Sequence, residues 1–301
     1  MIRAAENYVA VRRAGGVEIK KVEGLLRSFA RFATSRGEAY VRTATAIDWA
    51  NLAGTVAQRD ERLKMVCRFA RFMRAEDGQH ESPPPNHFAY HKTRRPPYIY
   101  SPAEISRLMD ATLHIGIPGS LEPQAYTTLI GLLAATGLRI SEALSLQFSD
   151  VTPSGLLIRK SKFQKTRLLP LHDSAATAVE RYLTHRRTVH LDREGIFVTD
   201  DGRPLVYLTV RRNFRKLLAK AEIAPAGGRF PRIHDLRHTF AVRVLETCPA
   251  GSQRVGQHML ALTTYMGHAN ITSTYWYLET TPELLRDIAV AGETHLCGGR
   301  P

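Results

Sequence analysis

Apolar residues recur at helical spacing through the first ninety positions of the chain. Val22, Leu25, Leu26, Phe29 and Phe32 fall on one helical stripe, and residues 62–72 repeat the pattern. In that second stretch Lys64, Arg68 and Arg71 lie off the apolar face, which predicts a small helical bundle with basic outer surfaces. Further on, Ser101-Pro102-Ala103-Glu104 has the form of a helix start, with an N-cap serine, proline at the first position and glutamate at the third. A long apolar helix is expected over 123–136, ending at Gly137 as its C-cap. Residues 155–158 and 167–171 read as two short strands joined by a lysine-rich turn. Helical patterns dominate from about residue 174, apart from the apolar run 195–198 before a turn at Asp201-Gly202. Residues 209–220 form a helix that clusters Arg211, Arg212, Arg215 and Lys216. The pattern is therefore mainly α with a small β-sheet.

Proline clusters at Pro83-Pro84-Pro85 and Pro96-Pro97, with His91-Lys92-Thr93-Arg94-Arg95 between them, mark a boundary near 82–98. The expected domains are 1–93, all helical, and 98–301. The basic linker reads equally as a solvated loop or as a segment lying along phosphates.

Charge narrows the class of partner. Lys+Arg number 42 against 28 Asp+Glu, a formal +14 with pI near 10.0, which points to a polyanion. The excess is spread along the chain: residues 1–97 carry 18 against 10, and residues 98–301 carry 24 against 18. No apolar run reaches the roughly 18 residues of a spanning helix, and the first residues lack a signal-peptide core. Cys67, Cys248 and Cys297 are far apart, which argues against a disulfide scaffold or zinc ribbon and fits a reducing cytoplasm. The 12 histidines show no metal-ligand spacing. No metal and no nucleotide cofactor are expected, since a Walker A motif is also missing.

Four segments carry candidate chemistry: ATGLRISEAL (135–144), KFQKTRLLPL (162–171), HDLRHTF (234–240) and MGHANITSTYWYLE (266–279). Each has an ordinary reading. Arg139 with Glu142 could be a surface ion pair, and His234 with Arg237 could cap a helix. Lys162 could sit in a solvated turn, and Tyr277 beside Trp276 and Leu278 could be core.

As a set they resemble the tyrosine recombinase (phage integrase) family, over nearly the whole chain. That family carries T-G-L-R-x-S-E, a hairpin lysine before R-L-x-P-L, H-x-L-R-H, and G-H followed nine residues later by tyrosine; all occur here in order. The resemblance implies a helical N-terminal core-binding (SAM-like) domain and an α+β catalytic domain. It assigns Arg139, Lys162, His234, Arg237, His268 and Tyr277 as catalytic residues. Spacing from His268 selects Tyr277 over Tyr275, and counting back from Arg167 favours Lys162 over Lys160 and Lys165. The stretch from His234 to His268 is longer than in many members, and Met266 stands where leucine is usual.

The residue types suit phosphoryl chemistry. A phosphodiester under attack gains negative charge, and the forks of Arg139 and Arg237 stay charged at any working pH. His268 adds a donor, His234 is the family's candidate base for the phenol of Tyr277, and Lys162 can protonate the departing 5′-oxygen. The expected product is a 3′-phosphotyrosine that stores bond energy for rejoining. The tail stripe Leu284, Leu285, Ile288 and Ala289 resembles the family's terminal docking helix, which joins four subunits on paired double-stranded DNA; packing on its own domain is the alternative. The Tyr275–Glu279 ending is similar to transposon-borne members. Mobile-element integration or transposition is the expected role, with chromosome-dimer resolution, a silent DNA-binding regulator and a type IB topoisomerase as alternatives.

Overall fold

A computed structural model describes residues 1–16, 20–91, 95–117, 119–159, 166–189, 193–225, 227–247 and 252–267. Lys162, His268, Tyr275, Tyr277 and the apolar stripe at 284–289 lie outside the described residues, as do Lys160 and Lys165. The chain divides into two compact units, Met1–Arg95 and Pro96–Pro301.

The first unit contains α1 (Ile2–Ala14), α2 (Lys20–Ser35), α3 (Thr43–Asn51) and α4 (Val56–Arg74). Leu26 and Phe29 of the α2 stripe are fully buried, with Val22, Leu25 and Phe32 packed at their margin. Leu63, Val66 and Phe69 of α4 complete the core with Trp49 of α3. Each such side chain contributes about 1.5–3 kcal/mol by leaving water. Tyr8 meets Phe69 and Phe72 edge to face, which closes α1 onto α4. Trp49 donates its indole N–H to Ser28 Oγ at 3.2 Å, so its one polar atom is satisfied. Arg68 and Arg71 stand exposed on α4, whereas Lys64 pairs with Asp60 at 2.9 Å.

The second unit opens with α5 (Pro102–Ala111), started by a complete Ser101/Glu104 capping box. Next comes α6 (Leu121–Thr136), which begins two residues before the expected start. It packs against α5, against α8 (Asp173–Thr188) and against α10 (Asp235–Glu246). That central position explains why its sequence is apolar on several sides rather than on one. Gly137 then takes a left-handed conformation, φ 61°, and donates its N–H to Leu133 O at 3.0 Å. A Cβ there would lie 2.5 Å from Phe240 Cδ1, so both backbone and space demand glycine. The turn delivers Arg139 as the N-cap of the short α7 (Ile140–Leu144).

An antiparallel sheet of β1 (Val151–Thr152), β2 (Gly155–Ile158) and β3 (Arg167–Leu169) follows, in the order β1-β2-β3. Leu156 pairs with Leu169 and Ile158 with Arg167. β3 stops at Leu169 rather than at 171, because Pro170 has no N–H to continue the ladder. The apolar run 195–198 forms only isolated bridges, Gln147 to Gly195 and Val198 to Pro204. α9 (Tyr207–Lys220) keeps Arg211, Arg212, Arg215 and Lys216 exposed while burying Val210, Phe214, Leu217 and Leu218. Finally α11 (Ser252–Met266) packs Met259, Leu262 and Met266 on Ala241, Val242 and Leu245 of α10. Among the described residues, no helix is long and apolar enough to cross a membrane.

Candidate active site

Arg139 owes its position to the left-handed turn that separates α6 from α7. Its Nη1 donates to Glu142 Oε1 at 2.7 Å and its Nη2 to Gly267 O at 2.9 Å. Glu142 also accepts from the Arg139 backbone N–H, at 3.2 Å, so the carboxylate closes the first turn of α7 as a capping box. This is not the exposed ion pair that local spacing allowed. The Glu142 side chain is only 7% exposed, and a second guanidinium reaches it from β3.

That second guanidinium belongs to Arg167. Its Nη1 and Nη2 donate to the two oxygens of Glu142 at 3.2 and 2.9 Å, and its Nε donates to Tyr265 O at 3.0 Å. Burial alone would raise the Glu142 carboxyl, but the bonds and charges of Arg167 and Arg139 hold it below its usual range. It therefore stays ionised as the shared anion of two cations.

Arg237 enters from the first turn of α10 and is 2% exposed. Its Nη1 donates to Gly137 O at 2.5 Å and its Nη2 to Met266 O at 2.8 Å. Three guanidiniums thus take three successive carbonyls at the end of α11: Arg167 on Tyr265, Arg237 on Met266 and Arg139 on Gly267. These are carbonyls that a helix end leaves without partners, and the negative end of the helix dipole favours cations there. Tyr265 secures the same turn by donating its hydroxyl to Pro170 O at 3.2 Å and stacking its ring on Phe240 at 5.6 Å. Gly267 has φ 65°, and a Cβ on it would lie 2.7 Å from Arg167 Nη1.

His234 is the N-cap residue of α10, although its side chain makes no capping bond. Asp235, the first helical residue, instead accepts from the Arg232 backbone N–H at 2.7 Å and so closes the turn that leads into the helix. The His234 ring meets His238 edge to face at 4.8 Å. Its pKa is pushed down to about 4, first by crowding protein and then by the charges of Arg237, Arg232 and Arg139, against a smaller pull from Asp235. One side of the ring remains open to solvent. The imidazole is neutral at neutral pH.

The structure therefore brings Arg139, His234 and Arg237 within electrostatic reach of one another, with Arg139 and Arg237 bound to the carbonyls of Gly267 and Met266. Lys162, His268 and Tyr277 lie outside the described residues. Sequence reasoning gives Glu142 only as a local partner of Arg139 and Arg167 only as part of a strand motif. Nothing in spacing joins Arg167 to Glu142 or to Tyr265, which are 25 and 98 residues away. Among the described residues, no group of three or more His, Cys, Asp or Glu could hold a metal ion.

The phage integrase family model matches residues 100–283, which include all four segments singled out above. A protein of Sinorhizobium fredii (strain NBRC 101917 / NGR234) named integrase/recombinase y4rB is 32% identical over 297 residues, covering 95% of this chain and 94% of its own. Among solved structures, the XerH site-specific recombinase bound to its palindromic difH substrate after cleavage superposes with TM-score 0.66 at 16% identity, over 91% of this chain and 80% of its own. The Tn1549 transposon integrase in complex with transposon right end DNA gives TM-score 0.60 at 18% identity, over 91% and 94%. These two share the fold: mostly helical, with a small three-stranded sheet. By family model and by near full-length identity, the chain belongs to the tyrosine recombinases of the phage integrase family and is a site-specific recombinase.

Proposed function

We propose that the chain cleaves and rejoins double-stranded DNA at recombination sites through a 3′-phosphotyrosine at Tyr277 and a Holliday junction, in the service of a mobile element. The observation that carries this reading is the convergence of Arg139 and Arg237 from distant segments onto the last carbonyls of α11, directly before His268. Two planar donor forks in fixed positions suit the non-bridging oxygens of a scissile phosphate.

In this mechanism Tyr277 Oη attacks phosphorus and loses its proton to His234, whose imidazole is neutral at neutral pH. Arg139, Arg237 and His268 stabilise the charge that grows on the phosphorane. The 5′-oxygen departs with a proton from Lys162, giving a free 5′-hydroxyl and the phosphotyrosine. Attack by a 5′-hydroxyl of another strand reverses every step, so no external energy source enters. The mobile-element role draws on the relative named as an integrase/recombinase and on the fold shared with a transposon integrase. Four copies acting on paired DNA in the cytoplasm, joined through the 284–289 stripe, complete the reading.

The test is a nicked suicide substrate carrying the element's own DNA ends, resolved on a denaturing gel beside Tyr277→Phe and Tyr275→Phe. A shifted covalent band lost only in Tyr277→Phe is the expected result. No band, despite salt-sensitive binding of the same DNA, contradicts it and favours a silent DNA-binding regulator.

A further inference from the structure

We infer that Arg167 is a positioning residue of the cleavage reaction: it sets the fork of Arg139 through Glu142 and fixes the register of the α11 terminus through the Tyr265 carbonyl. The inference rests on the reading of Arg139 as a phosphate-binding residue.

The geometry makes Arg167 the hub rather than a bystander. Its side chain is 12% exposed, and all three of its nitrogens donate: two to the separate oxygens of Glu142, one to Tyr265 O. Glu142 Oε1 is also the oxygen that holds Arg139 Nη1. Without Arg167, the carboxylate would keep only its two bonds from Arg139, the backbone N–H on Oε2 and Nη1 on Oε1, and would lose the pair that braces its plane from the far side, so the plane of the Arg139 guanidinium would be less firmly set. The same change would leave the Tyr265 carbonyl without this donor, one residue before Met266 O and two before Gly267 O, the atoms that Arg237 and Arg139 grip. Arg167 also closes the space over Gly267, where even a Cβ would collide with Nη1. One residue of β3 thereby ties the strand that follows Lys162 in the sequence to the helix end that precedes His268. Displacements of about 1 Å in such a constellation cost about 10²-fold in rate.

A guanidinium does this and an ammonium does not. Lysine at 167 would keep the charge, but its compact head cannot hold both Glu142 oxygens and the Tyr265 carbonyl in one plane.

The experiment is single-turnover cleavage of a suicide substrate at saturating DNA, with the dissociation constant and thermal midpoint measured for each variant. Arg167→Lys is expected to stay folded, bind DNA within about threefold of the parent, and cleave about 10–100-fold more slowly. Arg167→Ala should be slower still. In an Arg139→Lys background the Arg167→Lys effect should shrink, because the part that runs through the shared Glu142 carboxylate is already lost. Parental cleavage by Arg167→Lys overturns the inference, as does a full additional loss in the Arg139→Lys background. Unfolding of both Arg167 variants would make the residue purely structural and overturn it equally. If Arg139→Ala itself cleaves normally, the reading beneath has failed. If Arg139→Ala is dead while the Arg167 variants are normal, only this inference has failed.

Discussion

Arg68 and Arg71 on α4 and the three arginines at the end of α11 are placed by two different rules. On α4 of the first unit, Arg68 and Arg71 project from a helix whose other face packs Leu63, Val66 and Phe69 into the core. On α2, Arg27 is about half exposed and pairs with Glu23, one turn away, at 2.9 Å. In the second unit, the side chains of Arg139 and Arg167 are 25% and 12% exposed, Arg237 is nearly inaccessible, and each binds backbone carbonyls across the fold. Exposed arginines keep their rotamer freedom and attract a polyanion without demanding one geometry. The buried ones have given up that freedom before any ligand arrives, which is what a reaction stabilised by fixed charges requires. Charge counting treats both kinds alike; the hydrogen bonds separate them.

The sharpest way to break this contrast is Arg237→Ala. It removes a cation and strips Gly137 O and Met266 O of a donor, so cleavage should fall by about 10²–10³-fold. A melt should show an added loss of about 1–3 kcal/mol for each carbonyl left unsatisfied. A cleavage rate within a few-fold of the parent would place Arg237 with the surface arginines.

Glu142→Gln comes next. It takes the shared carboxylate from two guanidiniums in a largely buried setting and should destabilise the fold by about 3–5 kcal/mol in urea unfolding. A loss under about 1 kcal/mol is the signature of a solvated pair and would contradict preorganisation.

A smaller effect concerns His234. Its folded pKa of about 4 lies below the ordinary 6.5, so between those values the unfolded chain binds a proton that the folded chain refuses. Stability from this residue is therefore complete above pH 6.5 and falls as pH drops towards 4. His234→Asn should flatten that part of the stability-against-pH curve; an unchanged slope would assign it elsewhere. Smallest of all, replacing Arg68 and Arg71 by alanine should lower the salt dependence of DNA binding, by about one in slope for each phosphate that either arginine neutralises. Unchanged slopes would remove these residues from the interface.

Local features were legible in the chain. The Ser101 capping box, the stop at Gly137 and the stripes of α2 and α4 depend on neighbours within a turn or two, and they fold as their spacing predicts. The early start of α6, the two-residue β1 and the end of β3 at Leu169 differ because tertiary packing and ladder pairing decide such boundaries. The site divides the same way. Arg139 beside Glu142 is visible at three residues' distance, but whether that pair is exposed or buried depends on Arg167 and on α11, which arrive from 25 and 128 residues away. No periodicity encodes that meeting. His234 illustrates a further gap: its position is readable from the motif, but its depressed pKa comes first from the protein that crowds it in the fold, with the charges of Arg237, Arg232 and Arg139 behind that.

The central claim is that this cluster serves attack by one tyrosine, and the most direct measurement is to identify the residue that carries DNA. The protein is trapped on a suicide substrate, digested with protease and nuclease, and the nucleotide-bearing peptide is sequenced by mass spectrometry. The account predicts an adduct on Tyr277 that disappears in Arg139→Ala and Arg237→Ala. An adduct on Tyr275 or Ser273, or one on Tyr277 that forms equally well without both arginines, would contradict it.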